Sequence, residues 1–95
     1  MPLYKIRRDV PGATRDEVDA SGFRALICGY EYEGLRWIRS YWDPEAGELN
    51  CLYEAVDEEQ IRDHARRSRI PCDDVREVVE LMPHLYASPE AAKAN

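Results

Sequence analysis

No apolar run in the chain approaches the roughly 20 residues needed to cross a bilayer as a helix, and Met1-Pro2-Leu3-Tyr4-Lys5-Ile6-Arg7-Arg8 lacks the apolar core of a signal peptide. A cytoplasmic protein with no membrane partner is expected. Histidine is scarce, with only His64 and His84. Cys28, Cys51 and Cys72 are odd in number and widely spaced, so the paired C-x-x-C of zinc and redox centres is missing and reduced thiols are expected. Positive charge is in deficit: 13 basic against 19 acidic residues leave a formal charge of -6. Such a chain repels phosphate backbones unless its basic groups cluster. Arg66, Arg67 and Arg69 do cluster, but at the end of a predicted helix, where cations complement the dipole. No nucleic acid partner is expected. A phosphate-cradling glycine loop, a nucleophile elbow and an H-E-x-x-H pair are also absent.

What is present is the composition of a folded domain, 44% hydrophobic and 34% charged over 95 residues, enough for one modest core and too short for two. Leu3 to Asp9 alternates as a strand until Val10-Pro11-Gly12 breaks it. Thr14-Arg15-Asp16-Glu17 forms a capping box and opens a helix expected to reach about Tyr32 and to end at Gly34. Its inward stripe is Val18, Gly22, Ala25, Leu26 and Gly29, with the two glycines taken to allow close approach to a sheet. Phe23, Ile27 and Tyr30 make a second apolar patch, of the kind that suits a partner.

Leu35 to Trp42 and Glu48 to Ala55 read as a hairpin across Asp43-Pro44-Glu45-Ala46-Gly47. Asp57 to Gln60 cap a second, short helix, which must stop before Pro71, and Val75 to Met82 read as the last strand. The order β-α-β-β-α-β predicts an α+β, ferredoxin-like sandwich with a four-stranded antiparallel sheet. Residues 1–83 form the domain and 84–95 a small, polar C-terminal tail, either frayed or an arm that clasps a partner.

Both helices of such a fold cover one sheet face and leave the other open. Alternation puts Tyr4, Ile6, Ile38, Leu52 and Val78 against the helices. It puts Lys5, Arg7, Trp37, Arg39, Tyr41, Cys51, Tyr53, Glu77 and Val79 on the open face, unless a bulge inverts part of a strand. Aromatics left in water on a sheet call for a cover. The simplest cover is a second copy of the chain, so a homodimer through the open face is expected.

On that face Arg7, Arg39 and Glu77 would form either an interface ion-pair network or a clamp for an anionic ligand, walled by Trp37, Tyr41, Cys51 and Tyr53. Cys51 has no histidine or cation beside it in sequence to activate a thiolate, and reads as a small buried hydrophobe. His64 lies at the edge of the second helix's buried stripe and His84 follows the last strand. Their spacing makes no ligand motif, although either could join Cys51, Glu77 or a partner chain around a metal.

The segments Trp37-Ile38-Arg39-Ser40-Tyr41, Cys51-Leu52-Tyr53-Glu54-Ala55, Ile61 with His64-Ala65-Arg66-Arg67, Ile70-Pro71 and Glu77-Val78 form one pattern. It resembles a family of small bacterial domains of unknown function that includes nickel-binding, or nickel-responsive, ferredoxin-like proteins. The resemblance spans Tyr4 to about Met82 and rests most on W-x-x-S-Y and C-L-Y-E-A at hairpin spacing. It implies a ferredoxin-like homodimer and, for some members, nickel held by histidine-rich sites. No established enzyme activity comes with it. Arg39 stands where members often carry histidine, and a guanidinium is no metal ligand but suits an organic anion.

The function expected from the sequence is therefore a small dimeric binding protein that encloses a small ligand, an anion being one candidate, on its open sheet face through Arg7, Trp37, Arg39, Tyr41, Cys51, Tyr53 and Glu77. One alternative is a nickel or other divalent-metal protein using His64 and His84. The other is a cofactor-free monooxygenase or isomerase of the dimeric ferredoxin-like type.

Overall fold

The structure, a computed structural model, describes residues 1–87. Its elements are β1 (Leu3–Asp9), α1 (Arg15–Gly29), β2 (Arg36–Asp43), β3 (Glu48–Glu54), α2 (Glu58–Ser68), β4 (Asp74–Val78) and one helical turn, α3 (His84–Ala87). The strands form one antiparallel sheet in the order β2-β3-β1-β4. This is the expected ferredoxin-like α+β arrangement. Among the described residues, no helix is long and apolar enough to cross a membrane.

Local chemistry sets the element ends. The Thr14 hydroxyl accepts from the Glu17 amide at 3.2 Å, and the Glu17 carboxylate accepts from the Thr14 amide at 2.9 Å. These bonds complete the capping box and hold the Glu17 carboxyl below its ordinary range. Asp57 caps α2 through the Gln60 amide at 2.8 Å. At the other end of α2, Arg69 takes a left-handed conformation with φ 57°, and the Ile70 amide reaches back to the Ala65 carbonyl at 3.1 Å. Helix α1 stops at Gly29, short of the expected Tyr32. The next three residues continue as single turns, with the Tyr30, Glu31 and Tyr32 amides each bonded three residues back. Strand β4 is shorter than expected because its pairing ends at Leu3 with Val78, where β1 itself begins. Of the tail, residues 84–87 are the turn α3, and residues 88–95 lie outside the described residues.

Register corrects the assignment of faces. Antiparallel partners share a face, and β1 pairs with β3 as Tyr4 with Tyr53, Ile6 with Cys51 and Arg8 with Leu49. Cys51 and Tyr53 therefore stand with Tyr4 and Ile6 beneath the helices, and Leu52 pairs with Lys5 on the open side. Val78 likewise pairs with Leu3 on the open side, while Glu77 pairs with Tyr4 on the helix side. Alternation orders residues within one strand, but the relation between strands needs the register. In β2 the register shifts between Trp37 and Arg39, where Ile38 is the extra residue. Trp37 pairs with Tyr53 on the helix side, whereas Arg39 pairs with Leu52 on the open side.

The core gathers Tyr4, Ile6, Cys51, Tyr53, Ala55, Ile61 and Val75, with Leu35, Leu49 and Cys72 against it. Four residues of α2 are buried in or beside it, Ile61, His64, Ala65 and Ser68, but only Ala25 of α1. Helix α1 is thus held largely through α2 and stands off the β2–β3 end of the sheet. Its outer patch of Phe23, Ile27 and Tyr30 is exposed, as expected.

Candidate functional site

The gap left by α1 is a cavity of about 430 Å³ between that helix and the sheet. Helix α1 contributes Val18, Gly22, Phe23, Ala25 and Leu26, the sheet contributes Trp37, Ser40, Trp42, Leu49, Cys51, Tyr53 and Arg8, and Ile70 closes the side. A Cβ placed on Gly22 would stand 3.7 Å from the edge of Trp37. That is ordinary contact, so the glycine leaves room in the cavity without being forced by a clash. Trp37 and Tyr53 stack with ring planes 8° apart and centroids 6.2 Å apart, which gives the cavity a flat apolar wall.

Arg8 is the polar end of this wall and is only 1% exposed. Its Nε donates to Cys51 Sγ at 3.4 Å and its Nη1 to the Pro71 carbonyl at 2.6 Å. The cation absent from the local sequence around Cys51 is therefore supplied across the sheet. Burial pushes the Tyr53 hydroxyl well above its ordinary value, and the Arg8 charge pulls the other way. Trp37 Nε1 donates to Ser40 Oγ at 2.8 Å. Trp42 Nε1 is buried with no hydrogen-bond partner among the described residues.

The residues expected to act together divide between two faces. Trp37, Cys51 and Tyr53 line the cavity beneath α1. Arg7, Arg39 and Tyr41 lie on the open face, where Arg7 pairs with Asp9 at 3.1 Å and Arg39 approaches Glu80 at 3.9 Å. Glu77, on the helix side, joins neither arginine. The expected Arg7, Arg39 and Glu77 clamp therefore does not form. His64 and His84 share no site. His64 is 1% exposed, set edge-on to Tyr32 and tilted against Tyr53 with centroids 5.6 Å away in each case. Its Nε2 donates to the Ala25 carbonyl at 2.8 Å, which fixes the proton on that nitrogen. His84 is exposed on α3. Among the described residues no three histidine, cysteine, aspartate or glutamate side chains gather as a metal ion would need.

Arg8, Ser40 and Trp42 are functional candidates that the sequence reading missed. Tyr4, Ile6 and Arg8 alternate in one strand, so Arg8 was reachable by carrying the inward stripe two residues further. Ser40 and Trp42 were hidden by the bulge, which moves them to the helix side opposite Cys51 and Leu49.

Residues 4–78 match the family described as nickel responsive protein SCO4226-like. The chain belongs to the SCO4226-like family. Among solved structures it is similar to SCO4226 from Streptomyces coelicolor A3(2), with a TM-score of 0.75 at 21% identity over 84% of this chain and 99% of that one. At that identity the likeness speaks for the fold alone. No curated protein matches the chain. The SCO4226-like match opens at Tyr4 and closes at the end of β4. It therefore takes in every cavity residue and leaves out the segment that carries Glu80.

Proposed function

We propose that the chain is a small ligand-binding protein whose binding site is the cavity beneath α1 rather than the open sheet face. The observation that carries this reading is the gathering of Trp37, Trp42, Tyr53, Cys51 and Arg8 around one hollow of about 430 Å³, within the size range of small-molecule sites. The groups there hold and orient a ligand. Cys51 is bonded to an arginine, and the His64 proton is committed to Ala25, so the cavity pairs no nucleophile with a base. The free thiols Cys28, Cys51 and Cys72 suit the reducing cytoplasm. Tryptophan fluorescence and thermal unfolding, read while small apolar acids and amides are titrated, test the reading. The expected result is a saturable response that Gly22→Leu abolishes by filling the cavity. A response unchanged in that variant places the ligand elsewhere.

Nickel is a second reading, favoured by the family's description. Within one chain the donors do not fit it, since His64 and Cys51 are already engaged and His84 stands apart. Only a site shared between two copies would answer. Nickel titrated onto untagged protein, with stoichiometry and sedimentation read together, decides this. Half a nickel per chain, with association, supports a shared site, and no uptake removes it.

The same proposal includes a homodimer through the open-face side. Its support is the segment after β4, which carries Glu80 to Arg39 on the far edge strand and leaves Val79, Leu81, Leu85 and Tyr86 exposed, as Tyr41 of that strand also is.

A further inference from the structure

We propose that the ligand of this cavity is a small carboxylate with a flat apolar body, for which Arg8 is the counter-ion. The inference rests on the reading of the cavity as the binding site and adds the chemistry of the occupant.

A guanidinium does not deprotonate in a protein, so Arg8, at 1% exposure, is buried as a charge. Buried charges are ordinarily paired, because removing an ion from water is costly. Arg8 is not paired. Its partners are a sulfur and a main-chain carbonyl, and none of the ion pairs among the described residues includes it. The nearby carboxylates are engaged: Asp19 with Arg15 at 2.9 Å, Asp9 with Arg7, and Glu17 in the α1 cap.

The rest of the cavity adds two spare donors, while Asp19 at its rim is already bonded to Arg15 beside it. Trp42 Nε1 is buried and unpartnered among the described residues, and a buried donor without an acceptor costs about 1–3 kcal/mol. The Ser40 hydroxyl accepts from Trp37 and keeps its own proton to give. With Arg15 and Asp19 paired to each other, the remaining cation, Arg8, and the two spare donors match a carboxylate, which accepts several hydrogen bonds and donates none. The opposite wall is apolar and flat, made by the Trp37–Tyr53 stack with Leu26 and Val18 across from it. An apolar body, aromatic for preference, fits there.

The experiment compares phenylacetate, phenylacetamide and inorganic phosphate on the full chain, read by tryptophan fluorescence and thermal shift. Phenylacetate is expected to bind at least about tenfold more tightly than the amide, and more tightly than phosphate. Arg8→Met should erase the preference over the amide. Because that change also removes the Pro71 hydrogen bond and can unfold the chain, Trp42→Phe is the companion variant. It keeps an aromatic ring, removes the donor, and should weaken phenylacetate by about three- to tenfold while leaving the amide less affected. Equal binding of acid and amide overturns the anion and leaves the cavity reading standing. Phosphate binding as well as phenylacetate overturns the apolar body. No response to any of the three up to millimolar concentration overturns both the inference and the cavity reading beneath it.

Discussion

His64 Nε2 donates to the Ala25 carbonyl across 2.8 Å, a bond that fastens α2 to the middle of α1, the helix that roofs the cavity. Burial holds the imidazole pKa below its ordinary 6.5, and the Arg8 charge adds to that effect, while the Ala25 carbonyl and Asp63 oppose it.

A pH dependence follows, with its sign set by this lowered pKa. The folded state prefers neutral His64, whereas the unfolded chain takes up a proton near 6.5. Stability is thus full above about 6.5 and falls as the pH drops below it, because the unfolded state then binds more protons. Denaturant midpoints between pH 7.5 and 5.5 should decline for the wild type and stay nearly flat for His64→Gln. Asp63 and Asp74 titrate below this window, since their ion pairs and hydrogen bonds lower them further. Equal slopes in both proteins would show that His64 is not the titrating group.

Gly22→Ala separates stability from binding. Replacing glycine in a helix interior by alanine gains roughly 0.5–1 kcal/mol, and the new methyl meets Trp37 at 3.7 Å without a clash. The variant should therefore melt a few degrees higher, by about 4–8 °C per kcal/mol for a domain of this size. It should also bind cavity ligands more weakly, because the methyl occupies space they need. A lower melting temperature would mean that α1 sits closer to the sheet than the structure has it.

Most of the fold was legible because its signals are local. The Thr14 capping box, the turn at Gly47 and the stop at Pro71 each act through neighbouring residues, and all stand where the sequence places them. The faces were less legible because they depend on pairs distant in sequence. Tyr53 could be assigned only once it was opposite Tyr4, and Trp37 only once the extra residue Ile38 was counted. Arg8 shows the physical limit most clearly. Alternation puts Arg8 on the inward stripe of β1, but an arginine at the end of a charged strand reads as solvated, and it is the tertiary structure that sets the Pro71 carbonyl and Cys51 around it.

Gly47 is held by both conformation and space, unlike Gly22. Its φ is +70°, and an added Cβ would come within 2.9 Å of Pro11 Cα, a backbone atom that cannot swing aside. The Val10 amide also donates to the Gly47 carbonyl at 2.8 Å, tying the β1 exit to the hairpin. Gly47→Ala should destabilise by about 1–3 kcal/mol in chemical denaturation. A neutral effect would require the Pro11 loop to move away, and amide exchange at Val10 would report that movement.

Association through the open-face side is tested at Tyr41 and at the Arg39–Glu80 pair. Tyr41 is 63% exposed on a strand whose other aromatics, Trp37 and Trp42, face the cavity, and Arg39 meets the arm only at 3.9 Å. An exposed pair at that distance is worth at most about 1 kcal/mol, too little to hold an arm bearing Leu81, Leu85 and Tyr86 in water. A second copy laid over the same surface would bury those side chains together with Tyr41, and a two-fold axis would present the same patch from both sides. Sedimentation at micromolar concentration should therefore give twice the 11.0 kDa of the chain. Tyr41→Glu should shift it toward the single chain by placing a carboxylate in the buried patch, while Tyr30→Glu, on the outer face of α1, should not. A monomer in all three would remove the dimer, and dissociation by the α1 change alone would move the interface to the exposed stripe of Phe23, Ile27 and Tyr30.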